Sequence, residues 1–146
     1  MAAHFEKEIL LRFREADPAG ILFFGNIFGL AHDCFEDFIQ ATGMTWDEWF
    51  RTKDYMVPIR HSECNFLKPF FPGQKYTARV SVANIGDSSF QMKYVFSSKS
   101  PEGPKIHAEV LMVHTFLDAK SKQKISVPQP IRSHFLPYLE SSSEKK

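Results

Sequence analysis

Residues 13–26 read Phe13-Arg14-Glu15-Ala16-Asp17-Pro18-Ala19-Gly20-Ile21-Leu22-Phe23-Phe24-Gly25-Asn26 and join a strand-like pattern to a helix-like pattern. Between the two stand an acid, Asp17, a proline that fixes φ, Pro18, and Gly20, which is free to adopt a positive φ. An acid on a short stiff loop before a helix lies close to unpaired backbone N–H groups, and these amides bind negative charge. The stretch therefore predicts a base beside an oxyanion site.

The flanking segments have opposite periodicities. Phe5–Arg14 alternates as a strand does, with Ile9, Leu11 and Phe13 on one face. Asn26–Thr42 predicts a long amphipathic helix, capped by Asn26 and ended by Gly43. Its apolar arc consists of Ile27, Phe28, Leu30, Ala31, Cys34, Phe35, Phe38, Ile39 and Ala41, and His32 lies on the border of this arc.

The remaining segments predict a second short helix, four strands and a third helix. Thr45 and Glu48 have the spacing of a capping box, for a helix that runs to about Arg51. Pro130 is placed to open the last helix. The strands are an extended Val57–Leu67, with Pro58 at a sheet edge or bulge, and then Lys75–Ile85, Ser89–Ser98 and Lys105–Asp118, which form an antiparallel meander. We expect one domain over residues 1–140 and a disordered polar tail over 141–146.

Composition excludes several classes of protein. The chain has 146 residues and a net charge of +1, so nothing in it demands nucleic acid or a membrane surface as a partner. Cys34 and Cys64 form no Cys-x-x-Cys pair and are expected to be buried free thiols. The N-terminus lacks the apolar core of a signal peptide, and a soluble cytoplasmic protein is expected. The 15 phenylalanines fit a large core, an oligomer interface or an acyl pocket.

The segment Asp17-Pro18-Ala19-Gly20-Ile21, followed by Phe23, Phe24, Asn26 and the helix, resembles the signature of hotdog-fold acyl-CoA thioesterases of the 4-hydroxybenzoyl-CoA thioesterase type. The resemblance implies an α+β hotdog fold, in which a five-stranded antiparallel sheet wraps around one long helix. It also implies hydrolysis of an acyl-CoA without a metal or redox cofactor, coenzyme A being part of the substrate. A homodimer or homotetramer with sites at the subunit interface is the expected assembly.

By the same resemblance, Asp17 is the general base or the nucleophile, and the backbone N–H of Phe24, beside Gly25, polarises the thioester carbonyl. A thiol leaves readily as a thiolate, so such a site needs no dedicated general acid. Aspartate before proline also commonly caps a turn, which is the alternative role for Asp17.

The resemblance also assigns binding residues. The candidate substrate contacts are Gly20, Asn26, His32, Ser62 and Glu63, with His32 standing where the family usually carries a carboxylate. The family's arginines are missing from the turn Gly86-Asp87-Ser88, so cations for the CoA phosphates must come from elsewhere, and the candidates are Arg60, Lys68 and Lys93.

These departures leave the substrate open. The acyl group is aromatic or of short to medium chain length, and a thioesterase for acyl carrier protein or a non-catalytic acyl-binding protein are the alternatives. Other hydrolase signatures, Gly-x-Ser-x-Gly and His-Glu-x-x-His, do not occur. His107-Ala108-Glu109 is not followed by the Pro-Cys-x-x-Cys of zinc deaminases. Since His107 and His114 are an odd number of residues apart, they are expected on opposite faces of their strand.

Overall fold

Five antiparallel strands form the main sheet of the computed structural model, which describes residues 3–140. The predicted tail, 141–146, lies outside the described residues. In chain order the elements of the sheet are β1 (Phe5–Leu10), β3 (Ile59–Phe66), β4 (Lys75–Ile85), β5 (Ser89–Ser98) and β6 (Lys105–Thr115). Their order across the sheet is β1-β4-β5-β6-β3, so β1 and β3 are the edges. A separate two-stranded sheet pairs β2 (Tyr55–Met56) with β7 (Leu117–Asp118).

Within residues 3–140, three α-helices accompany the sheet: α1 (Asn26–Ala41), α2 (Trp46–Phe50) and α3 (Gln129–Phe135). The capping box predicted at Thr45 is present, because its side chain accepts from the Glu48 N–H and the Glu48 carboxylate accepts from the Thr45 N–H. Gly43 follows the end of α1 with φ of +97°, as its predicted role requires. Pro130 is in the first turn of α3. The helices predicted from periodicity and capping are therefore confirmed to within one residue at their starts.

The long helix packs its apolar side against the inner face of the sheet. Phe35 stacks on Phe90 of β5, and Phe38 contacts Phe5 of β1. The inner faces of β4 and β5 are buried, with small and β-branched residues on β4 and larger ones on β5, namely Ala78, Val80 and Val82 against Met92, Tyr94 and Phe96. The predicted α+β arrangement, with a meander from β4 to β6, is confirmed.

The first strand is shorter than predicted. It ends at Leu10, and Phe13–Glu15 is a 3-10 turn in which the Phe13 side chain is 88% exposed. Pairing stops there because Leu10 lies opposite Lys75, the first residue of β4, and the Gly73 N–H turns the chain back by bonding to the Leu11 carbonyl. In the sequence, the alternation of Ile9, Leu11 and Phe13 extends past Leu10, but β4 has no further residues with which β1 could pair.

The last long strand also differs from its prediction. It ends at Thr115, and Leu117–Asp118 pairs in the second sheet instead. A β-bulge interrupts β6 near its start, since Phe96 lies opposite Ala108 whereas Ser97 lies opposite Ile106. His107 is the extra residue. His107 and His114 are consequently both buried on the core side, and the prediction of opposite faces is wrong.

Phe35 joins α1 to α2, β5 and β6, because its ring contacts Phe38, Trp49, Phe90 and His114. We expect Phe35→Ala to lower the free energy of unfolding by about 3–5 kcal/mol, the usual cost of emptying a buried aromatic site. Urea unfolding followed by circular dichroism measures this cost. The same substitution at the exposed Phe13 should change stability by less than about 0.5 kcal/mol. Equal effects at the two positions would contradict the packing described.

Candidate active site

The loop from Glu15 to Gly25 is closed by a network of backbone hydrogen bonds. Ala16 and Leu22 form an antiparallel bridge, the Asp17 N–H donates to the Ile21 carbonyl at 3.0 Å, and the Gly20 N–H donates to the Asp17 carbonyl at 2.9 Å. Gly20 has φ of +82°, a conformation that side chains rarely adopt. The turn around Asp17 is therefore tight and requires the glycine.

The carboxylate of Asp17 is held by one oxygen and leaves the other free. Oδ1 accepts from the Ala19 N–H at 2.8 Å, which makes an Asx turn of the kind expected for aspartate before proline. Oδ2 has no hydrogen-bond partner among residues 3–140. Asp17 thus has the geometry of a turn residue and, at the same time, offers an oriented carboxylate oxygen to a ligand.

Unpaired backbone amides lie a few residues further on. The Phe23 N–H donates to the Glu15 carbonyl, and the Asn26 N–H donates to the Phe23 carbonyl. Between them, the N–H groups of Phe24 and Gly25 find no acceptor within the described chain. The first turn of α1 contains no acidic side chain that would neutralise the positive end of its dipole. This is the position at which an oxyanion would be stabilised.

Asn26 does not cap the helix, contrary to the prediction. Gly25 is the N-cap residue, and it makes no side-chain cap because it has none. The Asn26 side chain instead donates from Nδ2 to the Glu15 carbonyl at 3.0 Å, which already accepts from Phe23. The Asn26 side chain therefore links the start of α1 to Glu15 at the beginning of the loop. An N-cap side chain would instead be bonded to the N–H groups of the first helical turn.

An apolar groove of about 320 Å³ adjoins the unpaired amides. Its walls come from the loop and from the end of β3 with the following turn, and Lys68 is its one charged residue. The residues that line it are Ile21, Leu22, Phe24, Phe66, Leu67, Lys68, Pro69 and Phe70. Except for Phe24 and Lys68, sequence reasoning missed this groove, although the run Phe66-Leu67 followed by Phe70-Phe71 beside a Pro-Gly turn was a usable signal.

His32 lies farther along α1, away from the loop. Its Nδ1 is 3.0 Å from Oε2 of Glu36, and because a carboxylate only accepts, Nδ1 carries the proton. Nε2 has no partner in residues 3–140 and is available to a ligand. The side chain is about one-third exposed, so it borders the core as predicted.

The candidates on β3 lie along an exposed sheet edge. Ser62 and Glu63 are exposed, and Glu63 pairs with His61 at 2.9 Å. Arg60 lies at an irregularity in the pairing of β3 with β6, and it too is exposed. No contact within the described chain joins these three residues to the Asp17 loop.

Lys93 lies on the outer face of the sheet, in a depression that it shares with Arg79 and Glu109. Its ammonium group is 3.8 Å from the Glu140 carboxylate. Of the three predicted cations, only Lys68 lines the groove beside Phe24.

Comparison with known proteins identifies the family of this chain. The sequence profile of the thioesterase-like superfamily matches residues 11–135. The chain belongs to the thioesterase-like superfamily. The resemblance to this superfamily is confirmed, together with the class of enzyme, a thioester hydrolase.

Individual members are similar over most of their length. A 1,4-dihydroxy-2-naphthoyl-CoA hydrolase of Nostoc punctiforme is 27% identical over 121 residues, which is 83% of this chain and 79% of the relative. The crystal structure of a 1,4-dihydroxy-2-naphthoyl-CoA thioesterase from Synechocystis superimposes with a TM-score of 0.81 at 18% identity, covering 91% of this chain and 96% of the other. A mutant 4-hydroxybenzoyl-CoA thioesterase bound to 4-hydroxybenzoyl-CoA gives a TM-score of 0.80 at 15% identity, covering 90% and 98%. These structures confirm the hotdog fold.

Three further observations concern the described residues. Among residues 3–140, no three His, Cys, Asp or Glu side chains are grouped to hold a metal ion. None of the helices there has the length and apolar character needed to cross a membrane. Burial raises the pKa of Cys34 to about 12 and that of Cys64 to about 11, so neither thiol is primed as a nucleophile.

His114 gives the core a pH dependence that sequence reasoning missed. Burial, and then the nearby charge of His32, lower the pKa of His114 to about 3. An unfolded histidine has a pKa of about 6.5. Between these values the unfolded state binds more protons than the folded state, so the stability that neutral His114 provides is complete above pH 6.5 and is lost as the pH falls toward 3.

The free energy of unfolding of the wild type should fall as the pH is lowered from 6.5 to 4. We expect His114→Phe to reduce the slope of this fall by up to about 1.4 kcal/mol per pH unit. Phenylalanine preserves the stacking on Phe35 and Phe90 while removing the titrating group. Urea unfolding at several pH values measures the slope. Phe38→Leu is the control, because Phe38 is buried but packs on phenylalanine and tyrosine rings and not on His114, so it should lower stability without changing the slope. Identical slopes for wild type and His114→Phe would contradict the assignment.

Proposed function

We propose that this chain is an acyl-CoA thioesterase that acts on an aromatic acyl group. The observation that carries the proposal is the pair of amides at Phe24 and Gly25, unpaired among residues 3–140, on the same loop as the oriented Asp17 carboxylate, with Phe24 also lining the apolar groove. The naphthoyl-CoA and hydroxybenzoyl-CoA specificities of the similar proteins support an aromatic substrate. The groove is lined mainly by phenylalanine, leucine and isoleucine, which suits a flat apolar ring or the pantetheine arm next to it.

Hydrolysis at this site needs few groups. The Phe24 N–H donates to the thioester oxygen as negative charge develops on it, an interaction usually worth about 10²–10³ in rate. Asp17 acts in one of two ways. As a base it takes a proton from the attacking water and returns it to the departing thiolate. As a nucleophile it forms a mixed anhydride and expels the thiolate, and water then releases the acid. In both routes the leaving thiol, with a pKa of about 8.5, needs little assistance.

The binding roles follow from position. Lys68, at the groove, is the cation placed to meet a CoA phosphate, whereas Lys93 on the outer face is not. The free Nε2 of His32 offers a hydrogen bond to a polar substituent of the acyl group. Gly20 and Asn26 support the loop, Gly20 through its backbone conformation and Asn26 through its bond to Glu15.

A second copy of the chain completes the pocket in this proposal. Strand β3 is an edge of eight residues, of which all but the half-buried Cys64 are exposed. An edge of this length with exposed apolar residues at Ile59 and Phe66 favours pairing with another strand. Pairing β3 with β3 of a second copy brings Ser62, Glu63 and Arg60 toward the partner's site. The two free thiols support the expected cytoplasmic location.

The role of Asp17 is tested by Asp17→Asn. Asparagine keeps the Oδ1 acceptor that holds the Ala19 N–H, so the turn should survive while the charge is lost. We expect release of free thiol to fall by roughly 100-fold or more, the scale of a lost acid–base group. The substrates are 1,4-dihydroxy-2-naphthoyl-CoA, 4-hydroxybenzoyl-CoA, aliphatic acyl-CoAs and an acyl carrier protein thioester.

Asp33→Asn, an equivalent change on the exposed side of α1, is the control and should leave the rate unchanged. If the carrier-protein thioester is hydrolysed faster than the CoA thioesters, the substrate is an acyl carrier protein thioester and not an acyl-CoA. If wild type and Asp17→Asn bind these thioesters and both leave them intact, the chain is an acyl-binding protein and Asp17 serves only its turn.

Dimerisation through β3 is tested by Ile59→Asp. A carboxylate there should oppose strand pairing, so light scattering should show the mass fall from about twice 16.8 kDa to 16.8 kDa, with loss of activity. Ile106→Asp is the matched control, because Ile106 is also 40% exposed but lies on β6. A dimer that survives Ile59→Asp, or one that Ile106→Asp dissociates equally, would exclude β3 as the interface.

A further inference from the structure

His107 is the extra residue of the β-bulge in β6, and the bulge turns its ring inward. The ring packs between Phe70 at 5.2 Å and Tyr76 at 5.0 Å, and the residue is only 8% exposed. A polar ring in such a place must satisfy both of its nitrogens.

Both nitrogens of His107 have partners with defined roles. Nδ1 is 2.9 Å from the Pro69 carbonyl oxygen, which can only accept, so Nδ1 carries a proton and donates it. Nε2 is 2.8 Å from Oγ of Ser98, whose hydroxyl donates to it. Since neither nitrogen is free, His107 does not contact the substrate.

The backbone of His107 is bonded to the same turn. Its carbonyl accepts from the N–H groups of Leu67 and Lys68, at 2.8 and 3.1 Å. A further bond holds the other end of the turn, where the Phe71 N–H donates to the Tyr76 hydroxyl at 2.8 Å. The segment from Leu67 to Phe71 contains no helix or strand, so its position depends on these bonds and on the packing of Phe70.

The turn from Leu67 to Phe71 is bonded in its turn to the loop that carries the proposed oxyanion donor, Phe24. The Phe70 carbonyl, one residue after the Pro69 carbonyl that His107 binds, accepts from the Leu22 N–H at 2.9 Å. Leu22 lies two residues before Phe24 and is buried. From this chain of contacts we propose that His107 is a positioning residue, which fixes the Phe24 N–H through Pro69, Phe70 and Leu22. The inference rests on the proposed thioesterase function.

Two amide substitutions separate this role from general packing. In Asn the side-chain N–H₂ occupies about the place of Nδ1 of histidine, so His107→Asn keeps the donor to Pro69. In Gln the amide reaches about the place of Nε2, so His107→Gln keeps the bond to Ser98 and loses the one to Pro69. We expect His107→Gln to lower kcat by roughly 10- to 100-fold with KM within about threefold, because a shift of about 1 Å in a reacting group costs up to 10²-fold. His107→Asn should retain kcat within about threefold.

The control for stability is His134→Leu. Nδ1 of His134 donates to the Thr42 carbonyl at 2.8 Å, the same type of bond, but it does so beyond the C-terminal end of α1. A helix of 16 residues places that end about 24 Å from Phe24. His134→Leu should lower the melting temperature and leave kcat unchanged.

Five outcomes decide the matter. A kcat that falls in His107→Gln and is restored in His107→Asn supports the inference. Equal kcat in the two variants and wild type overturns it, as does an equal fall in both. A fall no greater than that in an equally destabilised His134→Leu also overturns it. Wild type that hydrolyses no thioester contradicts the proposed function itself, which is a separate failure.

Discussion

The bond from the Leu22 N–H to the Phe70 carbonyl is the contact on which the site depends. It joins the loop before α1 to the turn after β3, two segments far apart in the sequence. The Phe23 N–H is bound to Glu15, whereas the next two amides, at Phe24 and Gly25, have no acceptor among residues 3–140. The first N–H groups of a helix have no partner inside the helix, so two of them side by side next to a groove are available to a ligand oxygen.

The same contact explains how a sparse site can be rigid. The proposed reaction requires one carboxylate and one donor, and neither lies in the regular part of the helix or the sheet. Asp17 is held by its Asx turn and Gly20, whereas Phe24 is held by the start of α1 and by Leu22. The sheet contributes indirectly, through the bulge at His107 and the turn that it binds.

Periodicity and capping predicted the elements, because each depends on neighbours in the sequence. The apolar arc from Ile27 to Ile39 and the capping box at Thr45 are local signals of this kind. The end of β1 was not predictable, since it is set by where β4 begins and not by the alternation that continues to Phe13. The bulge at His107 was equally hidden, because one extra residue reverses the parity on which a strand prediction relies.

The candidate site also has a part that could be predicted from the sequence and a part that could not. Asp17, Gly20 and Phe24 lie on one continuous stretch and could be recognised together, whereas the groove combines that stretch with Phe66–Phe70. The composition did not show whether the 15 phenylalanines belong to the core, an oligomer interface or an acyl pocket. In the structure they have more than one role. Seven are fully buried, while five others are exposed, and these are Phe13, Phe23, Phe24, Phe66 and Phe71. Two of the exposed ones, Phe24 and Phe66, line the groove.

The most direct test of this account is a crystal structure with a non-hydrolysable aromatic acyl-CoA analogue in which a methylene group replaces the sulfur. The account predicts that the analogue's carbonyl oxygen lies about 2.7–3.1 Å from the Phe24 nitrogen. It also predicts that the carbonyl carbon lies within about 3.5 Å of Asp17 or of a water bound to Asp17. An analogue whose carbonyl is bound elsewhere, for example in the depression lined by Arg79 and Lys93 on the outer face of the sheet, would contradict it.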